Sequence, residues 1–466
     1  MTEARLTALA RFVVETTDSD LDEPLRVKGA VSLLDATSAA LRGRDEDTAL
    51  RLRELLVQDE EGTSAVWGTR LRAPAHVATQ VNGTATHAHF HDDTDMSAWA
   101  HPGSLIVPAC LAVGERERAP LSSVIRAIIC GYAVLHWLGA DGAVAGSAVH
   151  RGLRASAYLG PLAAAAGVSN LLGLDVASAG SAIAIAADLA GGTVDPVRSG
   201  HASWRLQNGW AGHLGVLAAD LAARGQIASP SALAPGWLRV ATGDDGVPSR
   251  WATPPRLNDV HRVWQKHSPT LGDNIAAAAC ALSLSPHVSS RDIRSVTVRI
   301  ARDFADYPGT SFRGPFERVD QALASTSFAV ATALIHGSLD YDLQARQLSS
   351  SEVMSLLGKI EVHGVDDFDY LDAEVVVHAE RTLECHSRDL PRGRFHFGLA
   401  TAMERFASAA AGSDLPDPKS VLQTIGAWTT DARAQPSADA IHAALTPKEL
   451  PAIPEGVHDD QHARRQ

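Results

Sequence analysis

ASAYLGPLAAAAGVSNLLGLD, residues 155–175, is apolar around most of its circumference and rich in small side chains. A helix apolar on more than one face is buried, and Ala and Gly let neighbouring backbones approach closely, so this stretch predicts the centre of a helical bundle. SAGSAIAIAADLA (178–190) and GWAGHLGVLAADLAARG (209–225) read the same way. Toward the N-terminus, Leu6, Leu9, Phe12 and Val13, then Val31, Leu33, Leu34, Ala40 and Leu41, recur at near-helical spacing. The texture changes near residue 290. SVTVRIA (295–301), KIEVHG (359–364) and AEVVVHAE (373–380) alternate β-branched residues, and ASTSFAVATALIHG (324–337) between them predicts a buried helix. After about residue 395 the pattern is helical again in FGLATAMERFASAA (397–410) and PKSVLQTIGAWTT (418–430). The order is helical, mixed, helical, with no internal repeat of fixed period.

The chain has 466 residues, enough for two or three domains. Hydrophobic residues at 45% and charged residues at 20% fit a globular protein, and a formal net charge of −13 argues against a nucleic-acid binder held by phosphate neutralisation. Cys110, Cys130, Cys280 and Cys385 are widely spaced and form neither a disulfide framework nor a zinc-ligand pattern. A reducing, cytoplasmic location is expected. The start, MTEARLTALARFVVETTDSDLDEP, lacks the basic head and long apolar run of a secretory signal, and apolar stretches broken by Asp or Gly predict no membrane span.

The densest polar constellation is NGTATHAHFHDDTDMSAWAHPGS, residues 82–104. His87, His89, His91 and His101 stand beside Asp92, Asp93, Thr94 and Asp95, the ingredients of general acid–base catalysis or of a metal site. The metal reading uses His87, His89, His91 and Asp92, although His precedes Asp here, the reverse of the HxHxDH order. A third reading is a polar loop that caps the helix beginning near Pro102.

Asn82-Gly83, His87-Ala88, Asp92-Asp93-Thr94, His101-Pro102-Gly103 and VPACLAVGE (107–115) together resemble the NG…HALDFDDT…HPG…VPAALALAE signature of the MmgE/PrpD family of 2-methylcitrate dehydratases, cis-aconitate decarboxylases and iminodisuccinate epimerases. GYAVLHWLG (131–139), residues 155–175 and SWRLQNGWAGHLGVLAADLAARG (203–225) resemble further family stretches in the same order, and Lys266-His267-Ser268-Pro269 resembles its K-x-Y-P segment. The resemblance implies a mainly α fold: a discontinuous helical domain over 1–264 and 396–445 and a smaller inserted α/β lid over 265–395; the prolines and dense charge of the last stretch predict an irregular arm over 446–466. It also implies a homodimer, an active site between the domains, and lyase or epimerase chemistry on polycarboxylates without metal or organic cofactor.

The same resemblance exposes departures. Phe90 stands where the family has an Asp, Arg154 and Gln207 where it has His, and Trp204 where it has Lys, while Asp92, Asp93, Thr94, His101, Arg205 and Lys266 match. Exchanging charged groups for aromatic rings favours a bulkier, less anionic small-molecule substrate. The expected acid–base pair is His101 with His89 or His91, oriented by Asp93 and Thr94. Arg154, Lys266, Phe90, Trp204, Asp92, Arg205 and Gln207 are the expected substrate-binding residues. No metal, cofactor, nucleic acid or membrane is expected to take part. The reading is a cofactor-independent lyase or isomerase, acting by dehydration, decarboxylation, isomerisation or cyclisation, with a catalytically altered binding or scaffold protein as the alternative.

Overall fold

The computed structural model describes residues 2–57, 62–233, 235–411, 415, 419–430, 441, 443, 445 and 446. The expected C-terminal arm lies outside the described residues except for residue 446. The fold is mainly α, with small sheets.

The helix Glu23–Gly43 begins where the Asp22 carboxylate accepts the Leu25 N–H and Pro24 occupies the first turn, which lacks intrahelical partners in any case. The small-residue helices Ala155–Leu171, Val176–Leu189 and Trp204–Ala223 pack against one another as their composition predicts. Ala75–His87 and Trp204–Ala223 also approach closely, through Gly83 and Gly209. A Cβ on Gly83 would lie 2.6 Å from the Ser104 carbonyl oxygen and 3.0 Å from Gly209 Cα. Only glycine permits that crossing, and it brings His87, one turn beyond Gly83, against Trp204.

Leu121–Gly139 is long and apolar enough to cross a membrane, but 89% of that stretch is buried inside the protein. It packs on Ala155–Leu171 as a core helix.

Two strands, β1 (Ser64–Ala65) and β2 (Arg72–Ala73), form a short antiparallel ladder. The α/β unit carries β3 (Ser295–Ala301), β4 (Ile360–Val365), β5 (Ala373–His378) and β6 (Thr382–His386), in the spatial order β4-β3-β5-β6. β3 pairs parallel with β4 and antiparallel with β5, and β5 pairs antiparallel with β6. The strand β6 adds to the three segments legible in the sequence. Val296, Val298 and Ile300 point to the covered face, following the period-two rule for strands. Ile275–Leu284 and Thr326–His336 belong to the same core.

Two large hydrophobic cores result. One gathers residues from Leu6 to Leu271 with Tyr307, Leu323 and Ala324, and takes back Phe397 as well as Phe406, Ile425 and Trp428 from the C-terminal helices Leu399–Ala411 and Lys419–Thr430. The other runs from Ile275 to Phe395 and includes Met96 from the polar loop of the helical body. Thr94 pairs backbone to backbone with Trp264, with N···O distances of 2.8 Å in both directions, and so the polar loop lies where the two cores meet.

Candidate active site

The helix Ala75–His87 ends at His87, and the chain then loops to the short helix Pro102–Leu105. Everything in this loop except His89 is buried. His87 donates from Nδ1 to Asp92 Oδ2 at 2.8 Å, and its Nε2 lies 2.5 Å from Arg154 Nη2. A guanidinium has only donors, so Nε2 accepts and the proton resides on Nδ1. Burial, followed by Arg154, Lys266 and Arg205, holds the His87 pKa well below its ordinary value. His87 is a neutral, fixed imidazole.

His101 lies beside it, with ring centroids 4.8 Å apart. Its Nδ1–H donates to the Asp93 carbonyl oxygen at 2.9 Å, which leaves Nε2 as an unprotonated acceptor. Among the described residues Nε2 has no hydrogen-bond partner. The His101 pKa is also well below the usual range, chiefly through burial and then the Lys266 ammonium. The helix that follows, Pro102–Leu105, has only four residues.

The pairing of His101 with His89 or His91 is corrected by the backbone. Phe90 adopts φ 52°, a left-handed conformation uncommon for a bulky residue, so the three residues follow neither helical nor strand alternation. His89 stacks on Tyr341 with centroids 3.7 Å apart, and His91 Nε2 accepts from Arg405 at 3.0 Å. The imidazole next to His101 is His87. The same divergence breaks up the alternative metal set of His87, His89, His91 and Asp92. Ligand atoms of His87, Asp92 and His101 do lie within 4.8 Å of one another. However, both His87 nitrogens are engaged, and the cations Lys266 and Arg154 lower both imidazole pKa values, so the field around this trio favours an anion over a metal ion.

Asp93 is a holder. Its Oδ1 accepts the Gly103 N–H at 2.7 Å and its Oδ2 accepts the Tyr132 hydroxyl at 2.8 Å, tying the His-Pro-Gly turn to the central helix Leu121–Gly139. A Cβ on Gly103 would come within 2.7 Å of Asp93 Oδ1. Burial, then Asp35, pushes the Asp93 pKa up to about 7. Thr94 pairs through its backbone with Trp264, and its hydroxyl donates to Met96 Sδ at 3.3 Å.

Two cations face the cluster. Lys266 is buried and donates to the carbonyls of Phe90 and Thr270, each at 3.1 Å, which leaves one ammonium hydrogen unassigned. Arg154 donates from Nη1 to the Trp204 carbonyl at 2.7 Å and to Gln207 Oε1 at 3.0 Å, which leaves Nε–H and one Nη2 hydrogen unassigned. Gln207 is an orienting residue whose Nε2 in turn donates to the Thr193 carbonyl at 3.0 Å. Among the described residues the buried Asp92 Oδ1 has no hydrogen-bond partner.

Phe90 and Trp204 stack with centroids 3.8 Å apart and an interplanar angle of 11°. Both belong to the helical core, and His87 meets each ring edge-on. Arg205, expected to bind substrate, is spent on the protein. It donates to the Ala88 carbonyl at 2.7 Å, to Asp320 and to the Tyr341 hydroxyl, and its guanidinium covers Trp204 at 4.3 Å. It therefore fastens the polar loop to the α/β unit.

Sequence reasoning passed over a charged stripe on the helix Glu23–Gly43. Lys28 donates to the Val263 carbonyl at 2.8 Å, and Asp35 is buried with neither carboxylate oxygen hydrogen-bonded among the described residues, 3.6 Å from Arg405 Nε. Burial raises the Asp35 pKa to about 6 against the pull of Arg405. The signal was there: Lys28, Ser32 and Asp35 fall on one helical face inside an otherwise apolar run. Beside the cluster, Asp95, His136, Trp264, Asp303, Tyr370 and Phe395 help line a cleft of about 1130 Å³ between the helical body and the α/β unit.

A model of the MmgE/PrpD N-terminal domain matches residues 7–248. A cis-aconitate decarboxylase-like protein, oryM, of Aspergillus oryzae is 25% identical over 397 residues, covering 79% of this chain and 81% of that protein.

Proposed function

The chain belongs to the MmgE/PrpD family, and on that premise we propose that it is a cofactor-independent lyase or isomerase in which His101 Nε2 removes a proton α to a substrate carboxylate. Membership points to a lyase-type enzyme related to cis-aconitate decarboxylase. The finer reading rests on one observation: His101 is buried, its proton is fixed on Nδ1 by the Asp93 carbonyl, and Lys266 and Arg154 lie close enough to depress its pKa. An unprotonated nitrogen beside two cations is the arrangement that proton abstraction next to a carboxylate requires. The base takes the proton, and the cations hold the carboxylate and the charge that develops on its enolate form. His101 then returns the proton to carbon or to a leaving group. With Phe90 and Trp204 stacked where charged groups are expected, fewer cations remain for a tricarboxylate, which supports a bulkier and less anionic substrate.

The Phe90–Trp204 stack also favours the second reading, a family member that binds a small molecule without turning it over. Incubating the protein in deuterium oxide with a panel of carboxylates, cis-aconitate and larger monocarboxylates included, separates the two. Incorporation of deuterium at the α-carbon that His101→Gln abolishes is the expected result. Binding without exchange, or exchange that survives the substitution, rejects His101 as the base.

A further inference from the structure

We propose that Arg405, on the C-terminal helix Leu399–Ala411, is a positioning residue that holds the polar loop at His91 and so sets how Asp92 and His87 meet His101. The proposal rests on the reading of His101 as the base. Arg405 stands 314 residues beyond His91 in the chain, and the return of the C-terminal segment to the helical body joins them.

The guanidinium is largely buried and makes three contacts. Nη2 donates to His91 Nε2 at 3.0 Å, Nε lies 3.6 Å from Asp35 Oδ1 on the helix Glu23–Gly43, and Cζ lies 4.8 Å from the centre of the Phe397 ring. The helix of Arg405 packs along Glu23–Gly43, and Arg42 donates to the Arg405 carbonyl at 3.4 Å. Asp35 supplies the counter-charge that a buried guanidinium requires. The bond to His91 is directional, so it passes the position of the anchored cation to the loop.

His91 stands between two residues that carry the site. On one side Phe90, at φ 52°, gives its carbonyl to Lys266 at 3.1 Å. On the other Asp92 takes the His87 Nδ1 proton at 2.8 Å, and the His87 ring lies 4.8 Å from that of His101. A displaced His91 therefore moves both an acceptor of the ammonium and the carboxylate that fixes His87. Phe397 is a second arm: its ring meets His267 edge-on at 4.6 Å and its N–H donates to Gln265 Oε1 at 3.2 Å, and these two residues flank Lys266. Among the described residues no hydrogen bond, ion pair or ring contact joins Arg405 to His87, His101, Lys266 or Arg154, so its influence passes through His91 and Phe397.

Two measurements on the full chain test this: steady-state α-proton exchange, and NMR of isotope-labelled histidines. Removing the guanidinium alone strands the Asp35 charge, so the first variant combines Arg405→Met with Asp35→Asn. Its kcat for exchange should fall about 10- to 100-fold, the loss expected when catalytic groups shift by about 1 Å. Its KM should change by less than about twofold, because Arg405 does not meet the substrate. His91→Phe, which removes only the acceptor, should produce a similar loss, and combining it with the first variant should cost nothing further. The His87 and His101 ring signals should move in both variants. If the parent shows no exchange, His101 is rejected as the base, and the ring signals then decide the positioning by themselves. Unmoved His87 and His101 signals, a change confined to KM, or losses that add in full when His91→Phe is included overturn the proposal.

Discussion

Arg154 Nη2 donates to His87 Nε2 across 2.5 Å, so a buried guanidinium fixes the tautomer of a buried imidazole whose other nitrogen is already given to Asp92. The pair sits at the centre of the charged cluster and determines how its protons are shared. His101 faces a neutral ring, and the positive charge nearby belongs to Arg154 and Lys266.

Arg154→Ala removes the donor and leaves His87 Nε2 buried without a partner. We expect a loss of about 2–3 kcal/mol in unfolding free energy, the cost of orphaning a buried group that was bonded to a charge. The His87 pKa should rise, because the guanidinium that depresses it is gone. Denaturant unfolding measures the first effect and NMR titration of the ring the second. An unchanged stability would show that His87 does not depend on this bond.

Asp35 predicts a pH dependence of stability. Its folded-state pKa, about 6, lies above the ordinary aspartate value of 3.8, so between these values the folded protein binds more protons than the unfolded chain. Stability is therefore lost as pH rises through that window, by about 3 kcal/mol for a shift of this size. Asp35→Asn should lack this loss, so its stability relative to the parent should improve from pH 4 to pH 7. A constant difference across that range would place the Asp35 pKa near its ordinary value.

Gly83→Ala should be costly although it adds only one carbon. The new Cβ would meet the Ser104 carbonyl at 2.6 Å and Gly209 Cα at 3.0 Å, and both are backbone atoms that cannot rotate away. Forcing the helices apart should cost about 1–3 kcal/mol, in line with overpacked cores, and should shift the His87 resonances one turn away. A variant as stable as its parent, with unchanged His87 resonances, would mean that the crossing has slack.

Lys266→Met tests the field on His101. With the ammonium present the ring stays neutral at neutral pH, so α-proton exchange should be flat through neutrality and fall only in acid. Without it the His101 pKa rises, and the acid limb should move toward neutral pH. A limb that does not move would indicate that burial alone sets the ring's pKa.

Much of the fold was legible because it follows from spacing and size. Ala and Gly at helical period in residues 155–225 predict close-packed central helices, and alternating Val and Ile at 295–301 predict an inward-facing strand. The candidate site was legible as a place, residues 82–104 with Lys266 and Arg154, but not as an arrangement. Phe90 at φ 52° sends His89 to Tyr341 and His91 to Arg405, and no periodicity encodes that turn. Arg205 matched a family position, but its acceptors Asp320 and Tyr341 lie more than a hundred residues away in the chain.

The sequence alone determined the helical body, the inserted α/β texture and the concentration of imidazoles and carboxylates in one loop, because hydrophobic period and residue type are local properties. Only the tertiary structure decided which imidazole pairs with His101, which cations remain available to an anion, and that Lys28 and Asp35 lie behind the cluster. Those outcomes depend on burial and on hydrogen-bond partners from distant segments, and a buried charge takes its protonation from whatever the fold places within a few ångströms of it.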